Sequence, residues 1–162
     1  KMSVLDNVLV GMQSTLEQSF WDSLFHTPKK RAEEARIKGK AHELLQFVGL
    51  DEFAFQPAGS LSYGKQRLLE IVRGLAGDPK VILLDEPAAG MNTAEKLELD
   101  SLLHKITETG VTILIVEHDM KLIMDISDYI YVLNNGKLIA EGVATDVQNN
   151  PDVITAYLGG DE

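Results

Sequence analysis

Val81-Ile82-Leu83-Leu84-Asp85-Glu86-Pro87 is the stretch on which the reading of this chain turns. Four branched aliphatic residues in a row read as a strand buried on both faces, the kind found in parallel sheets. Two carboxylates follow where that strand must end. In open α/β sheets ligands bind just beyond the carboxyl ends of the strands, so Asp85 and Glu86 stand where chemistry is usually done. An acidic pair at a strand end is more often simply solvated, and the residues on either side must decide.

Working outward, the chain alternates strands and helices. Upstream, Leu68, Ile71, Val72 and Leu75 form the i, i+3, i+4, i+7 stripe of an amphipathic helix that starts near Ser62 and is ended by Gly77, Asp78 and Pro79. Downstream comes a loop, Ala88 to Asn92, and a helix whose Leu99, Leu102, Leu103 and Ile106 repeat the stripe until Gly110. Val111 to Val116 is a second buried strand, Met120, Ile123 and Met124 mark a short helix, and Tyr129 to Leu133 is a third strand. Asn134-Asn135-Gly136 supplies the positive φ of a tight turn, so Lys137 to Glu141 pairs back antiparallel. Asn150-Pro151 separates two last short helices. Strands alternating with helices imply right-handed βαβ units and a parallel core sheet.

The first 60 residues read differently. Ser3 caps a short helix to about Gly11, with Asp6 near the positive end of its dipole. Phe20, Trp21, Leu24 and Phe25 share one helical face; core packing is the commoner use of such a stripe and a partner groove the second. Thr27-Pro28 opens a charged helix that keeps its period through Ala41, Leu44, Leu45 and Val48 and stops at Gly49. Pro57 and Gly59 then break the pattern. The expected division is a helical subdomain over 1–60, followed by 61–162 as a helix and half of an α/β core.

Composition narrows the classes. A chain of 162 residues suits one domain or a piece of one, and 25 acidic against 15 basic side chains give a net charge of −10, which argues against a nucleic-acid-binding face. With no cysteine, disulfides and thiolate metal sites are excluded. The apolar runs fall far short of the roughly 18 to 20 residues that span a bilayer, so membrane association goes through a partner.

Three polar clusters now sit at the ends of regular elements. A helix start offers unpaired N–H groups and the positive dipole end, so Ser62-Tyr63-Gly64 can hold a phosphate. Asp85, after a buried strand, suits Mg²⁺, and Glu86 beside it suits a general base. His118, after the next strand, can hydrogen-bond a terminal phosphate. Taken singly, Ser62 is more often a plain cap, Gly64 a plain turn and His118 a surface histidine. Their conjunction in this order is the specific signal.

That order resembles the ATP-binding-cassette ATPases. Leu61-Ser62-Tyr63-Gly64-Lys65 resembles the family's signature motif, Val81 to Asp85 its Walker B strand, Glu86 its catalytic glutamate, Ala88 to Asn92 its D-loop and His118 its switch histidine. Tyr63, Ala88-Ala89-Gly90-Met91-Asn92, Glu117-His118-Asp119-Met120 and the ending Ala156-Tyr157-Leu158-Gly159 are similar to the LivG-type branch. That branch serves branched-chain amino acid import; urea and short-chain amide importers share much of the pattern. Lys65 stands where the signature usually has glutamine, and Asn92 where D-loops usually have aspartate.

The resemblance implies an α/β fold that is the C-terminal part of a P-loop NTPase core, with ATP and Mg²⁺ as cofactors and Asp85 as the metal ligand. Glu86 and His118 would be catalytic, and Ser62, Tyr63, Gly64, Lys65 and Gln66 would bind nucleotide. Asp85, Glu86 and His118 would serve the ATP of their own subunit, Ser62 and Gly64 that of a second ATPase subunit. Transmembrane permease subunits and, indirectly, a substrate-binding protein are the other implied partners, at the cytoplasmic face of a prokaryotic membrane. No G-x-x-x-x-G-K-[ST] loop and no glutamine loop occur in the chain, so it reads as a fragment whose isolated form turns over no ATP. Without the first strands of the core, the buried face of Val81 to Leu84 would lack neighbours. Three alternatives are weighed: a DNA-repair ATPase, which would need coiled-coil heptads and a basic surface; a non-catalytic dimerisation module, against which Glu86 and His118 argue; and a cassette for another substrate, such as lipopolysaccharide.

Overall fold

The computed structural model describes residues 2–12 and 28–158, the side chains of 28–31 and 158 excepted. The aromatic stripe Phe20 to Phe25, the Thr27 cap and Gly159 lie outside the described residues. The chain falls into two compact units, 1–114 and 115–162, with the boundary inside a strand.

In the first unit, α1 (Val4–Gly11) starts on a capping box: Ser3 Oγ accepts the Asp6 N–H at 3.0 Å and Asp6 Oδ2 accepts the Ser3 N–H at 3.1 Å. The chain just before and within it is laced to a loop by Val4 N–H to Gln56 C=O at 3.0 Å, Leu5 N–H to Ala54 C=O at 2.9 Å and Ala58 N–H to Met2 C=O at 3.1 Å. α2 (Pro28–Phe47) begins at the proline expected at a helix start, and Gly49 takes φ +70 just past its end. Two single 3₁₀ turns, Asp51–Phe53 and Ala58–Ser60, lead to α3 (Tyr63–Leu75), capped by Ser62. α1 packs against both α2 and α3, burying Val4, Val8, Leu45 and Val72 completely.

β1 (Val81–Asp85) and β2 (Thr112–Val116) pair as a two-stranded sheet with α4 (Thr93–Glu108) between them in sequence. The Thr112 N–H donates to the Lys80 C=O at 2.9 Å. That bond joins the two strand starts, the arrangement of a parallel pair with a helical crossover. α4 buries Leu99, Leu102, Leu103 and Ile106, the stripe read from the sequence.

The strands themselves need a correction. Val81 to Leu84 and Val111 to Val116 were expected to be buried on both faces, yet Val81 is 53% exposed, Leu83 72%, Leu114 55% and Val116 59%. Side chains alternate across a strand, so these four stand on faces against which no described residue packs closely, while Ile82 is buried and Leu84 half-buried on the other face of β1. An aliphatic run reports what a strand can bury; it does not supply the neighbours.

The second unit has its own core of Ile123, Ile130, Val132, Val147 and Val153. α5 (Met120–Ile126), α6 (Ala144–Gln148) and α7 (Pro151–Val153) surround an antiparallel hairpin of β3 (Ile130–Asn134) and β4 (Lys137–Gly142). Asn135 and Gly136 take φ +48 and +74, the double positive φ that a two-residue hairpin turn demands. A bulge between Val132 and Leu133 shifts the register within the hairpin. Among the described residues no helix is long and apolar enough to cross a membrane.

Candidate functional site

The start of α3 is built from its own side chains. Ser62, in extended conformation, turns its Oγ onto the Lys65 N–H at 3.4 Å, and Gln66 Nε2 reaches back to the Leu61 C=O at 2.9 Å. Gln66 thereby ties the residue before the cap to the first turn of the helix. Lys65, which stands where a glutamine is usual, sends its Nζ over the Phe53 ring, 5.5 Å from the centroid. Tyr63 OH accepts from Arg67 Nη2 at 2.7 Å, and Arg67 Nη1 donates to Glu70 at 2.7 Å. Glu70, and then Tyr63, hold the Arg67 guanidinium above its already high ordinary range. The exposed Ser62 and Tyr63 and the buried Gly64 thus sit on a braced helix start.

At the end of β1 the backbone makes an abrupt change. Glu86 has φ +44, the left-handed region that a β-unbranched residue enters at a cost of about 1–2 kcal/mol. Asp85 and Glu86 are both exposed, and the chain then dives into buried Pro87 and Ala88. Bonds from Ala89 N–H to Glu86 C=O and from Met91 N–H to Ala88 C=O, each 3.1 Å, tighten the loop. The left-handed turn at residue 86 lets a buried loop follow directly on an exposed acidic pair.

Asn92 closes that loop by capping α4. Its Oδ1 accepts the Glu95 N–H at 3.1 Å and Glu95 Oε2 accepts the Asn92 N–H at 3.0 Å, a full capping box. Asparagine caps as well as aspartate does, so its presence in place of aspartate keeps the helix start intact. The same Glu95 carboxylate accepts the Gly64 N–H at 3.2 Å through Oε1. A Cβ on Gly90, which has φ +74, would lie 3.2 Å from the Tyr63 ring. The structure therefore brings Ser62 to Gly64 together with the loop behind Asp85 and Glu86.

His118 belongs to the second unit. Its N–H donates to Glu117 Oε2 at 3.3 Å, and the next residue, Asp119, caps α5 by accepting the Leu122 N–H at 3.2 Å. It is an exposed residue between β2 and α5.

Glu95 is the residue that sequence reading missed. Asn92-x-x-Glu95 before an apolar stripe is a legible capping box. The reach of that glutamate to a glycine 31 residues earlier is visible only in three dimensions. One near-coincidence is also resolved. Gly59, Gly64 and Lys65 repeat the glycine and lysine spacing of a phosphate loop, but Gln66 replaces its hydroxyl residue and a 3₁₀ turn, Ala58–Ser60, stands where a strand should lead in.

Against known families, residues 5–89 match the model described as ABC transporter, and residues 137–162 match the one described as branched-chain amino acid ATP-binding cassette transporter. The chain belongs to the ABC transporter family. Within that family, it is 45% identical over 160 residues to the high-affinity branched-chain amino acid transport ATP-binding protein BraF of Pseudomonas aeruginosa, covering 98% of this chain and 63% of BraF. LivG of Salmonella typhimurium, with the corresponding description, is 44% identical over 160 residues with the same coverage of 98% and 63%. Among solved structures, the ADP conformation of MJ1267, an ATP-binding cassette of an ABC transporter, superposes with a TM-score of 0.79 at 34% identity, covering 98% of this chain and 63% of that one. The chain thus spans 63% of the length of these relatives.

Proposed function

We propose that this chain is the signature-turn and Walker B part of an ATP-hydrolysing subunit that energises an importer of branched-chain or related amino acids. The observation that carries the reading is that the Ser62-capped start of α3 and the loop following Asp85–Glu86 meet in one unit of a chain belonging to this family. Residues 1–60 act as the helical subdomain and 61–162 as the signature helix and the second half of the nucleotide-binding core.

The donor set suits the cofactors. Asp85 is an exposed hard-oxygen ligand at a strand end, and Mg²⁺ characteristically takes one or two carboxylates and completes its shell with phosphate and water. Magnesium, when bound with ATP, offsets the negative charge of the phosphate oxygens. Glu86 takes the proton of the attacking water, and the left-handed turn presents its side chain outside the buried loop. His118 hydrogen-bonds the terminal phosphate from the far end of β2. Ser62 Oγ and the Gly64 N–H reach the nucleotide of a second ATPase subunit, with Tyr63, Lys65 and Gln66 shaping that turn. The subunit pair sits on permease subunits at the cytoplasmic face of the membrane, fed by a substrate-binding protein. The relatives that are named for branched-chain amino acid transport support this choice of cargo.

The test is ATP turnover by the whole subunit on its permease. Glu86→Gln should lower turnover by at least about 100-fold while ATP still binds, the size of a lost general base. Turnover equal to the unsubstituted subunit would overturn the reading. The 162-residue chain by itself should hydrolyse no ATP and show no saturable nucleotide binding at micromolar concentration.

A further inference from the structure

Glu95 is the third residue of α4, and its two carboxylate oxygens serve two different helices. Oε2 accepts the Asn92 N–H at 3.0 Å, which completes the cap of its own helix. A capping box needs no more than that. Oε1 accepts the Gly64 N–H at 3.2 Å, on the first turn of α3. An N–H in the first turn of a helix has no intrahelical partner, so a carboxylate is a fitting acceptor there.

The approach depends on residue 64 being glycine. A Cβ there would lie 2.6 Å from Glu95 Oε1, 2.7 Å from its Cδ and 2.8 Å from its Cγ. A second contact runs parallel to the first: the Tyr63 ring covers Gly90, whose added Cβ would meet the ring at 3.2 Å. Two consecutive residues of α3 thus touch both ends of the segment from Gly90 to Glu95. One link is a hydrogen bond and the other a close approach of the Tyr63 ring edge to Gly90, so they constrain different motions.

We propose that Glu95 is a positioning residue that clamps the Ser62–Gly64 turn to the segment running from β1 into α4. Its consequence rests on the reading above, in which Ser62 and Gly64 reach a partner subunit's nucleotide while Asp85 and Glu86 serve their own. One side chain then joins the two nucleotide sites. A phosphate oxygen that takes the Gly64 N–H displaces Glu95 Oε1, and the shift passes through the same carboxylate to Asn92. Occupancy of one site is thereby felt in the loop behind the acidic pair of the other.

Amide hydrogen exchange on the 162-residue chain, read residue by residue by NMR, tests the clamp. Glu95→Ala should speed exchange at Gly64 and Asn92 together by about tenfold, the order expected for one lost charge-assisted bond at each. Leu68 and Leu99, deeper in α3 and α4, should keep their rates. Glu95→Gln keeps one acceptor oxygen and should restore protection at one of the two amides. Faster exchange at Asn92 with no change at Gly64 in both variants would leave Glu95 a plain cap and overturn the clamp. Should Glu95→Ala loosen both helices throughout, the Glu95→Gln pattern decides in its place. In the whole subunit, Glu95→Ala should lower kcat for ATP about five- to tenfold, with Glu95→Gln in between. A clamp seen by exchange with turnover unchanged in Glu95→Ala overturns the coupling. If Glu86→Gln also leaves turnover unchanged, it is the nucleotide reading that has failed.

Discussion

Alanine at Gly11 and alanine at Gly39 are the same chemical change on two helices, yet they should move stability in opposite directions. Gly39 lies on the exposed surface in the interior of α2, and a Cβ there meets nothing within 4 Å. The change removes backbone freedom from the unfolded chain and adds no clash, so it should stabilise by about 0.5–1 kcal/mol. Gly11 ends α1 where that helix crosses α3, and a Cβ there would lie 2.2 Å from the Arg73 carbonyl oxygen and 3.0 Å from the Ala76 Cβ. The nearest obstacle is backbone, which cannot rotate aside, so α1 and α3 must part by roughly 1 Å before the contact is tolerable. Parting them loosens the packing of Val4, Val8 and Val72, all completely buried. Overpacking of this kind costs about 1–3 kcal/mol, and the helix-propensity gain at a helix end offsets only part of it. A net loss of about 1–2 kcal/mol at Gly11 therefore faces a gain at Gly39. Urea unfolding followed by circular dichroism reads both, as shifts in midpoint at constant slope. A Gly11→Ala chain as stable as the unsubstituted one would refute the close crossing of α1 and α3, and a destabilised Gly39→Ala chain would refute the open face of α2.

The Ser3 hydrogen bonds hold the Asp6 carboxyl below its ordinary value of 3.8, chiefly through the Ser3 side chain and then its backbone. The support this gives α1 is therefore complete above pH 3.8 and is lost as pH falls through the lowered value. Exchange at the first amides of α1 should quicken in that acid window and not above it; an equal rise in Asp6→Asn at the same pH would contradict the cause. Leu99→Ala, at a fully buried position on α4, should cost about 2–5 kcal/mol in urea unfolding, and a loss under 1 kcal/mol would mean that the site collapses freely. Glu86→Gly should abolish ATP turnover in the whole subunit, because the carboxylate that takes the water's proton is gone; retained turnover would contradict that role.

Local signals were readable one by one. Ser62 was legible as a cap because serine oxygen satisfies an orphan N–H, and Asn135-Gly136 as a hairpin turn because both residues tolerate positive φ. Leu99, Leu102, Leu103 and Ile106 declared the buried face of α4 by spacing alone. The aliphatic run of β1 was legible as a strand but misleading about burial: Leu83 is 72% exposed, since burial depends on what packs opposite. The order of polar clusters pointed to the ABC transporter family, which residues 5–89 match.

The acidic pair Asp85–Glu86 was plain in the sequence as two carboxylates ending an apolar run. Its left-handed turn was not, because nothing in a glutamate's chemistry announces φ +44, the value at which the chain turns from the exposed pair to buried Pro87 and Ala88. Nor could spacing place Glu95 on Gly64, a contact across 31 residues that requires α3 and α4 to start side by side. By itself the sequence determined the helices, the strands and their caps, because these follow from interactions within a few residues. Only the tertiary structure decided which helix starts share a carboxylate and which strand faces stay open, because those depend on surfaces brought together from distant parts of the chain.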